Sequence, residues 1–291
     1  MSNQVTHDEA EMTFGEHLDE LRKILIRVIL VFAVLFLVFF SFKGIVLEVV
    51  FAPLSKSFPT ARLLGWLAEL MNSPALNISL DNIQIISNKM AGQFMLHIKS
   101  SFVGAFVVAF PYLIWELWNF VKPALPPSQR KRSIRYTIEC PIWFMLGLMF
   151  GYFVIAPLAI NFLGNYEVVG DKIQNLFDVS SYLTTVLSVT FAAAIAFQLP
   201  VLIRLLATIG LVTSEGMRKY RKGAVVVLLI FAASSTPPDV VSQVLIFVPC
   251  YALYEYGITI ARGIELRREK EEAEYQALVA AGKIAASEED E

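Results

Sequence analysis

Residues 24–42 form an almost unbroken apolar run in which Arg27 is the one charge. A helix rises about 1.5 Å per residue, so this run reaches roughly 28 Å, close to the ~30 Å hydrocarbon core of a bilayer. Five more apolar runs follow, at about 94–120, 138–163, 180–209, 223–236 and 240–261. The chain is 56% hydrophobic with a mean hydropathy of +0.59, and its few charges sit in blocks between the runs. Hydrocarbon offers the backbone no partners, so such runs must form helices. The expected fold is all-α: a polytopic membrane protein with a bundle of six transmembrane helices over residues 1–262 and a charged tail over 263–291. The runs at 223–236 and 240–261 are short. Polar flanks, a locally thinned bilayer or shielding by neighbouring helices would each accommodate them.

Orientation follows from Lys and Arg. The 121–136 loop carries Lys122, Arg130, Lys131, Arg132 and Arg135, and the 210–222 loop carries Arg218, Lys219, Arg221 and Lys222. The 164–178 loop has only Lys172, and the tight turn Pro237-Pro238-Asp239 has none. Both termini are therefore expected in the cytoplasm, with the long 43–93 segment outside. Within that segment, residues 62–71 hold Leu63, Leu64, Trp66, Leu67 and Leu70, the pattern of a short amphipathic helix. The first run follows an acidic leader without a small-residue cleavage site, so it should stay as a helix.

Several functions are disfavoured. A net charge of −2 gives no basic stripe for nucleic acid. The sequence has no H-E-x-x-H, G-x-S-x-G or Walker A pattern, and His7, His17 and His97 are far apart. The expectation is no enzyme, no cofactor and no metal. Cys140 and Cys250 fall in apolar runs and read as small buried hydrophobes.

The polar residues that remain stand out. Thr13 with Glu16 fits a T-x-x-E capping box, which starts a helix at Phe14. On that helix Glu16, Asp19 and Glu20 share one sector near the membrane surface. Lys23 can pair with Asp19, and the capping box can occupy Glu16. Glu20 is the least committed carboxylate. It is either an ordinary solvated face or a grip for a cationic ligand, above all guanidinium, which meets a carboxylate through two hydrogen bonds. Deeper in the chain, Glu116, Gln198 beside Pro200, and Glu255 are intramembrane polar groups that need partners. Arg204 is expected to snorkel to the surface.

His17-Leu18-Asp19-Glu20-Leu21-Arg22 resembles the opening H-L-x-E-L-R of the TatC family, the core membrane subunit of the twin-arginine protein translocase. The likeness continues through Ala52-Pro53-Leu54 and through the stretch from Trp118 to Leu125, similar to W-x-F-x-x-P-A-L. Phe197-Gln198-Leu199-Pro200 stands where the family has F-E-x-P. Residues 236–243 resemble T-P-P-D-x-x-S-Q, and Tyr254-Glu255-Tyr256-Gly257 resembles F/Y-E-x-G.

The resemblance implies a receptor in the bacterial cytoplasmic (inner) membrane. It would bind twin-arginine signal peptides of folded cargo and work with TatA- and TatB-type single-span subunits, driven by the proton-motive force, in a complex holding several copies. By analogy the signal-peptide site uses Glu20, with Leu21 and Arg22 beside it, and Phe120, Pro123 and Leu125. Two positions depart from the family pattern. Gln129 replaces a loop glutamate, so Glu116 or Asp19 is expected to supply the missing charge. Gln198 replaces a span-four glutamate and can still hydrogen-bond a partner helix, as can Glu255 and Asp239. The competing reading is a secondary transporter or ion-conducting protein built on Glu255 and Gln198.

Overall fold

The computed structural model describes residues 14–70, 83–121, 127–166, 176–235 and 240–280. Thr13 and the turn at 237–239 lie outside them. The chain is an all-α membrane bundle. Five stretches, Leu18–Ser41, Gly92–Phe120, Thr137–Asn165, Val179–Thr208 and Gln243–Ala280, are long and apolar enough to cross a bilayer. A further apolar helix, Arg221–Ser235, has 15 residues, which gives a rise of only about 22 Å. Large apolar side chains such as Leu25, Ile29, Leu30, Val34 and Leu37 are more than half exposed, as lipid-facing side chains are.

The chain divides into two compact units, residues 1–52 with 87–141 and residues 53–86 with 142–291. The first holds α1 (Phe14–Ser41), α2 (Lys43–Phe51) and α4 (Gly92–Val121), with the start of α5 (Pro127–Phe150). Helices α1 and α4 are antiparallel, because Arg27 meets Glu116, Phe32 packs edge-on against Phe102, and Phe40 stacks on His97 at 4.1 Å. His97 Nε2 also lies 2.9 Å from the Phe40 carbonyl, one of the last-turn acceptors that a helix end leaves open.

In the second unit the end of α5 gives way to a π-helical stretch, Gly151–Ile155, before α6 (Ala156–Asn165). Pro157 has no N–H to offer the Phe153 carbonyl four residues back. The hydroxyl of Thr60, on α3 (Pro59–Leu70), donates to that carbonyl instead, while Phe58 stacks on Phe153 and meets Tyr152 edge-on. Gly147 and Gly151 face α7 (Val179–Ala196). A methyl built on Gly147 would stand 2.7 Å from the Ala193 carbonyl oxygen, and one on Gly151 would stand 2.7 Å from the Thr190 Cα. The helices therefore touch backbone to backbone, as small residues spaced four apart allow in membranes.

Two contacts in this unit, a strand pairing and the docking of the tail, were not read from the sequence. Strand β1 (Gln84–Ile86) pairs in parallel with β2 (Leu176–Asp178), joining two loops far apart in sequence. The final helix, α11 (Val240–Ala280), runs well past the apolar segment. Its charged extension docks on the turn between α8 (Leu199–Thr208) and α9 (Ser214–Lys219). Glu265 accepts hydrogen bonds from the backbone N–H and the hydroxyl of Ser214 at the start of α9. Arg268 donates to the Thr208 carbonyl at the end of α8. An acid at a helix start and a base at a helix end both suit the helix dipole. Between them Ile203, Ala207, Met217, Ile258 and Ala261 form a small apolar core. Gly210, at φ +83°, makes the reversal between α8 and α9.

Candidate functional site

The site begins on the first two turns of α1. Among residues 18–23, Glu20 is the one side chain that is half-buried, whereas Leu18, Asp19, Leu21, Arg22 and Lys23 are exposed. One turn further on, Ile24 is buried. Arg27 follows seven residues after Glu20, about 20° short of two full turns, so the two lie on one line of the helix, roughly 10 Å apart. That line is the seam with α4, because Arg27 Nη1 lies 3.4 Å from Glu116 Oε1.

Glu116 is 2% exposed, whereas Arg27 is 51% exposed. The Tyr112 hydroxyl, one turn back on α4, donates to the same Oε1 at 2.6 Å. A carboxylate stripped of water in this way needs both partners. Tyr112 also packs against Trp115 at 5.9 Å. Phe120, one turn beyond Glu116, is half-buried. Since α1 and α4 are antiparallel, Glu20 and Phe120 stand at the same end of the seam.

The structure thus brings Glu20, Arg27, Glu116 and Phe120 to one helix pair and leaves Leu21 and Arg22 on the exposed flank. The elimination of Asp19 as a free carboxylate does not hold. Asp19 and Lys23 are both exposed and form no ion pair with each other among the described residues. Pro123, Leu125 and Asp239 lie outside the described residues, as do the side chains of Glu16 and Gln129. Arg27 and Tyr112 were not singled out as site residues. The available signal was the lone charge in the first apolar run, which demands a partner.

The other intramembrane polar residues sit in the second unit. Gln198 occupies the break between α7 and α8, directly before the Leu199–Pro200 start of α8, and its carbonyl accepts from Leu202 N–H at 3.0 Å. Its side chain makes no capping bond. Pro200 is buried. Glu255 accepts from Arg221 Nη2 at 2.7 Å and from the Tyr251 hydroxyl at 3.0 Å. Cys140 and Cys250 are free thiols, half-buried and buried. Among the described residues no three His, Cys, Asp or Glu gather closely enough to hold a metal ion.

A family model described as Sec-independent protein translocase protein (TatC) matches residues 16–249. The Sec-independent protein translocase protein TatC of Blattabacterium sp. subsp. Periplaneta americana is 31% identical over 258 residues, covering 88% of this chain and 97% of the relative. The protein of that name from Escherichia coli K12 is 31% identical over 246 residues, covering 84% and 86%. A crystal structure described as the twin-arginine translocase receptor TatC is 29% identical. It superposes with a TM-score of 0.66 over 86% of this chain and 100% of its own. A second one, in DDM, also gives 0.66.

Proposed function

The chain belongs to the TatC family of Sec-independent protein translocase proteins, and from that premise we propose that it is the signal-peptide receptor of its translocase. It is a multi-pass membrane component of the twin-arginine pathway. In our reading it sits in a bacterial cytoplasmic membrane with both termini in the cytoplasm, the side marked by the Lys- and Arg-rich loops. It takes up twin-arginine signal peptides of folded cargo and hands them to TatA- and TatB-type single-span subunits, with the proton-motive force as the energy source. It makes and breaks no bond itself.

The observation that carries this reading is the placement of Glu20. It is a carboxylate at the surface end of the α1–α4 seam, half-buried while its neighbours are exposed. A carboxylate partly withdrawn from water binds a guanidinium more strongly than one fully in solvent, and two hydrogen bonds fix the ligand's orientation. Leu21 and Arg22 flank it, and Phe120 supplies an apolar wall. Resemblance to the family adds Pro123, Leu125 and Gln129 to the residues that meet the peptide. Gln129 accepts a hydrogen bond from a second guanidinium without offsetting its charge, and the exposed Asp19 is the nearest further carboxylate in sequence. Membership of the TatC family displaces the ion-conducting alternative built on Glu255 and Gln198, and Glu255 is paired with Arg221 and Tyr251.

Site-specific photocrosslinking tests the reading. A probe at positions 16–22 or 116–132 should capture a twin-arginine signal peptide and fail to capture its Lys-Lys counterpart. Equal capture of both peptides, or capture undiminished by Glu20→Ala, would overturn it.

A further inference from the structure

We propose that Arg27 and Glu116 form a clamp that sets the register of α1 against α4, so that Glu116 serves the ligand only by holding Glu20 in place. The proposal rests on the receptor reading above and adds two positioning residues to it. It also reassigns the carboxylate expected to replace the missing loop glutamate.

Three observations carry it. Glu116 is almost wholly out of solvent, and one of its oxygens already pairs with the Arg27 guanidinium at 3.4 Å and accepts from the Tyr112 hydroxyl. An incoming peptide arginine would have to reach a carboxylate that is 2% exposed and compete with Arg27 for its charge, leaving two cations to share one anion inside an apolar segment. Second, Arg27 and Glu20 share one line of α1, with buried Ile24 between them. A slip of one residue at Arg27 would move that line by about 1.5 Å and turn it by about 100°, carrying Glu20 off the seam. Third, the polar contact of His97 with the Phe40 carbonyl holds the far end of the seam, and the contact described between it and Arg27 is aromatic, Phe32 on Phe102. Apolar surfaces tolerate sliding, whereas a buried carboxylate paired with a cation on the facing helix favours the register that keeps the two together.

A pair of this kind behaves characteristically under substitution. Removing one partner strands the other as a buried or membrane-embedded charge. Replacing both by amides removes both charges and keeps hydrogen-bonding groups in place. A ligand contact at Glu116 would not recover in the double variant, because the charge the ligand needs would still be missing.

The test uses the full chain in lipid nanodiscs. Arg27→Gln, Glu116→Gln and the double variant are titrated with a fluorescent twin-arginine signal peptide and with its Lys-Lys counterpart. A second readout needs no ligand: Glu20→Cys, on a background with Cys140 and Cys250 replaced by Ala, is labelled with a membrane-impermeant thiol reagent. The clamp predicts that each single variant weakens twin-arginine binding about tenfold or more, narrows the preference over Lys-Lys, and speeds labelling at position 20. The double variant should return all three to within about threefold of the parent. If a single variant fails to insert, the double variant alone carries the test, since the clamp requires it to insert and bind.

Binding as weak in the double variant as in Glu116→Gln would overturn the proposal and make Glu116 a ligand contact. Labelling at position 20 unchanged in both single variants would also overturn it. Failure of the receptor reading looks different. Glu20→Ala would bind the peptide like the parent, while labelling at position 20 would still respond to the clamp variants.

Discussion

Arg221, the first residue of α10 (Arg221–Ser235), lies 2.7 Å from the Glu255 carboxylate of α11, whose other oxygen is met by Tyr251 at 3.0 Å. This contact ties down the start of α10, an apolar helix of 15 residues. Its first residue is tied to a point on α11 well before the charged extension, so α10 has no need to match α11 in length. Both side chains keep some exposure, 47% for Arg221 and 32% for Glu255, which limits the strength of the pair. Replacing each by Ala, singly and together, should show a coupling of about 1 kcal/mol in thermal unfolding of the solubilised protein. Strictly additive effects would mean the pair contributes nothing.

Gly147 and Gly263 should respond in opposite ways. Gly147→Val places carbon against the Ala193 carbonyl oxygen and the Ala194 Cα, both backbone atoms and both 2.7 Å from a Cβ at Gly147. The helices must separate, at a cost of about 1–3 kcal/mol or more. A Cβ at Gly263, within α11, meets nothing within 4 Å. Gly263→Ala should therefore stabilise by about 0.5–1 kcal/mol through helix propensity alone. Melting temperatures measured in one detergent compare the two directly.

The charged extension of α11 should protect the loop it caps. Truncation after residue 263 removes Glu265 and Arg268, and with them the caps on α9 and α8. Amide exchange and protease cleavage across 209–219 should rise about tenfold or more, while the apolar part of α11 stays protected. Glu265→Ala alone should show a smaller rise confined to the start of α9, because each cap contributes about 0.5–2 kcal/mol. Unchanged exchange after truncation would show that the apolar core under α9 suffices.

Glu20→Ala should abolish export of twin-arginine cargo while the protein still inserts. The lost charge-assisted pairing is worth about 1.5–3 kcal/mol, or roughly tenfold to a hundredfold in peptide affinity. Asp19→Ala should have a smaller effect, because Asp19 is exposed and a charge in solvent attracts weakly. Export assays of the two variants side by side would check the ranking, and equal losses would shift the site toward Asp19.

The sequence by itself determined the membrane class, the apolar helices and the family, because these depend on local runs of apolar residues and on ordered short motifs. It also isolated Glu20 as a candidate, although the supposed Asp19–Lys23 pairing used to isolate it is absent. Long-range pairings were not legible. Arg27 and Glu116 each looked like a lone charge, and only the antiparallel packing of α1 on α4 showed that they neutralise one another. Thr60 gave no sign that its hydroxyl would serve the carbonyl freed by Pro157, ninety-three residues away at Phe153. The charged tail gave no sign that Glu265 and Arg268 would cap α9 and α8. Hydrophobic burial is roughly additive along a chain, so local composition reports it. A buried polar group is satisfied only by a partner at hydrogen-bond distance, and the tertiary fold decides which partner that is.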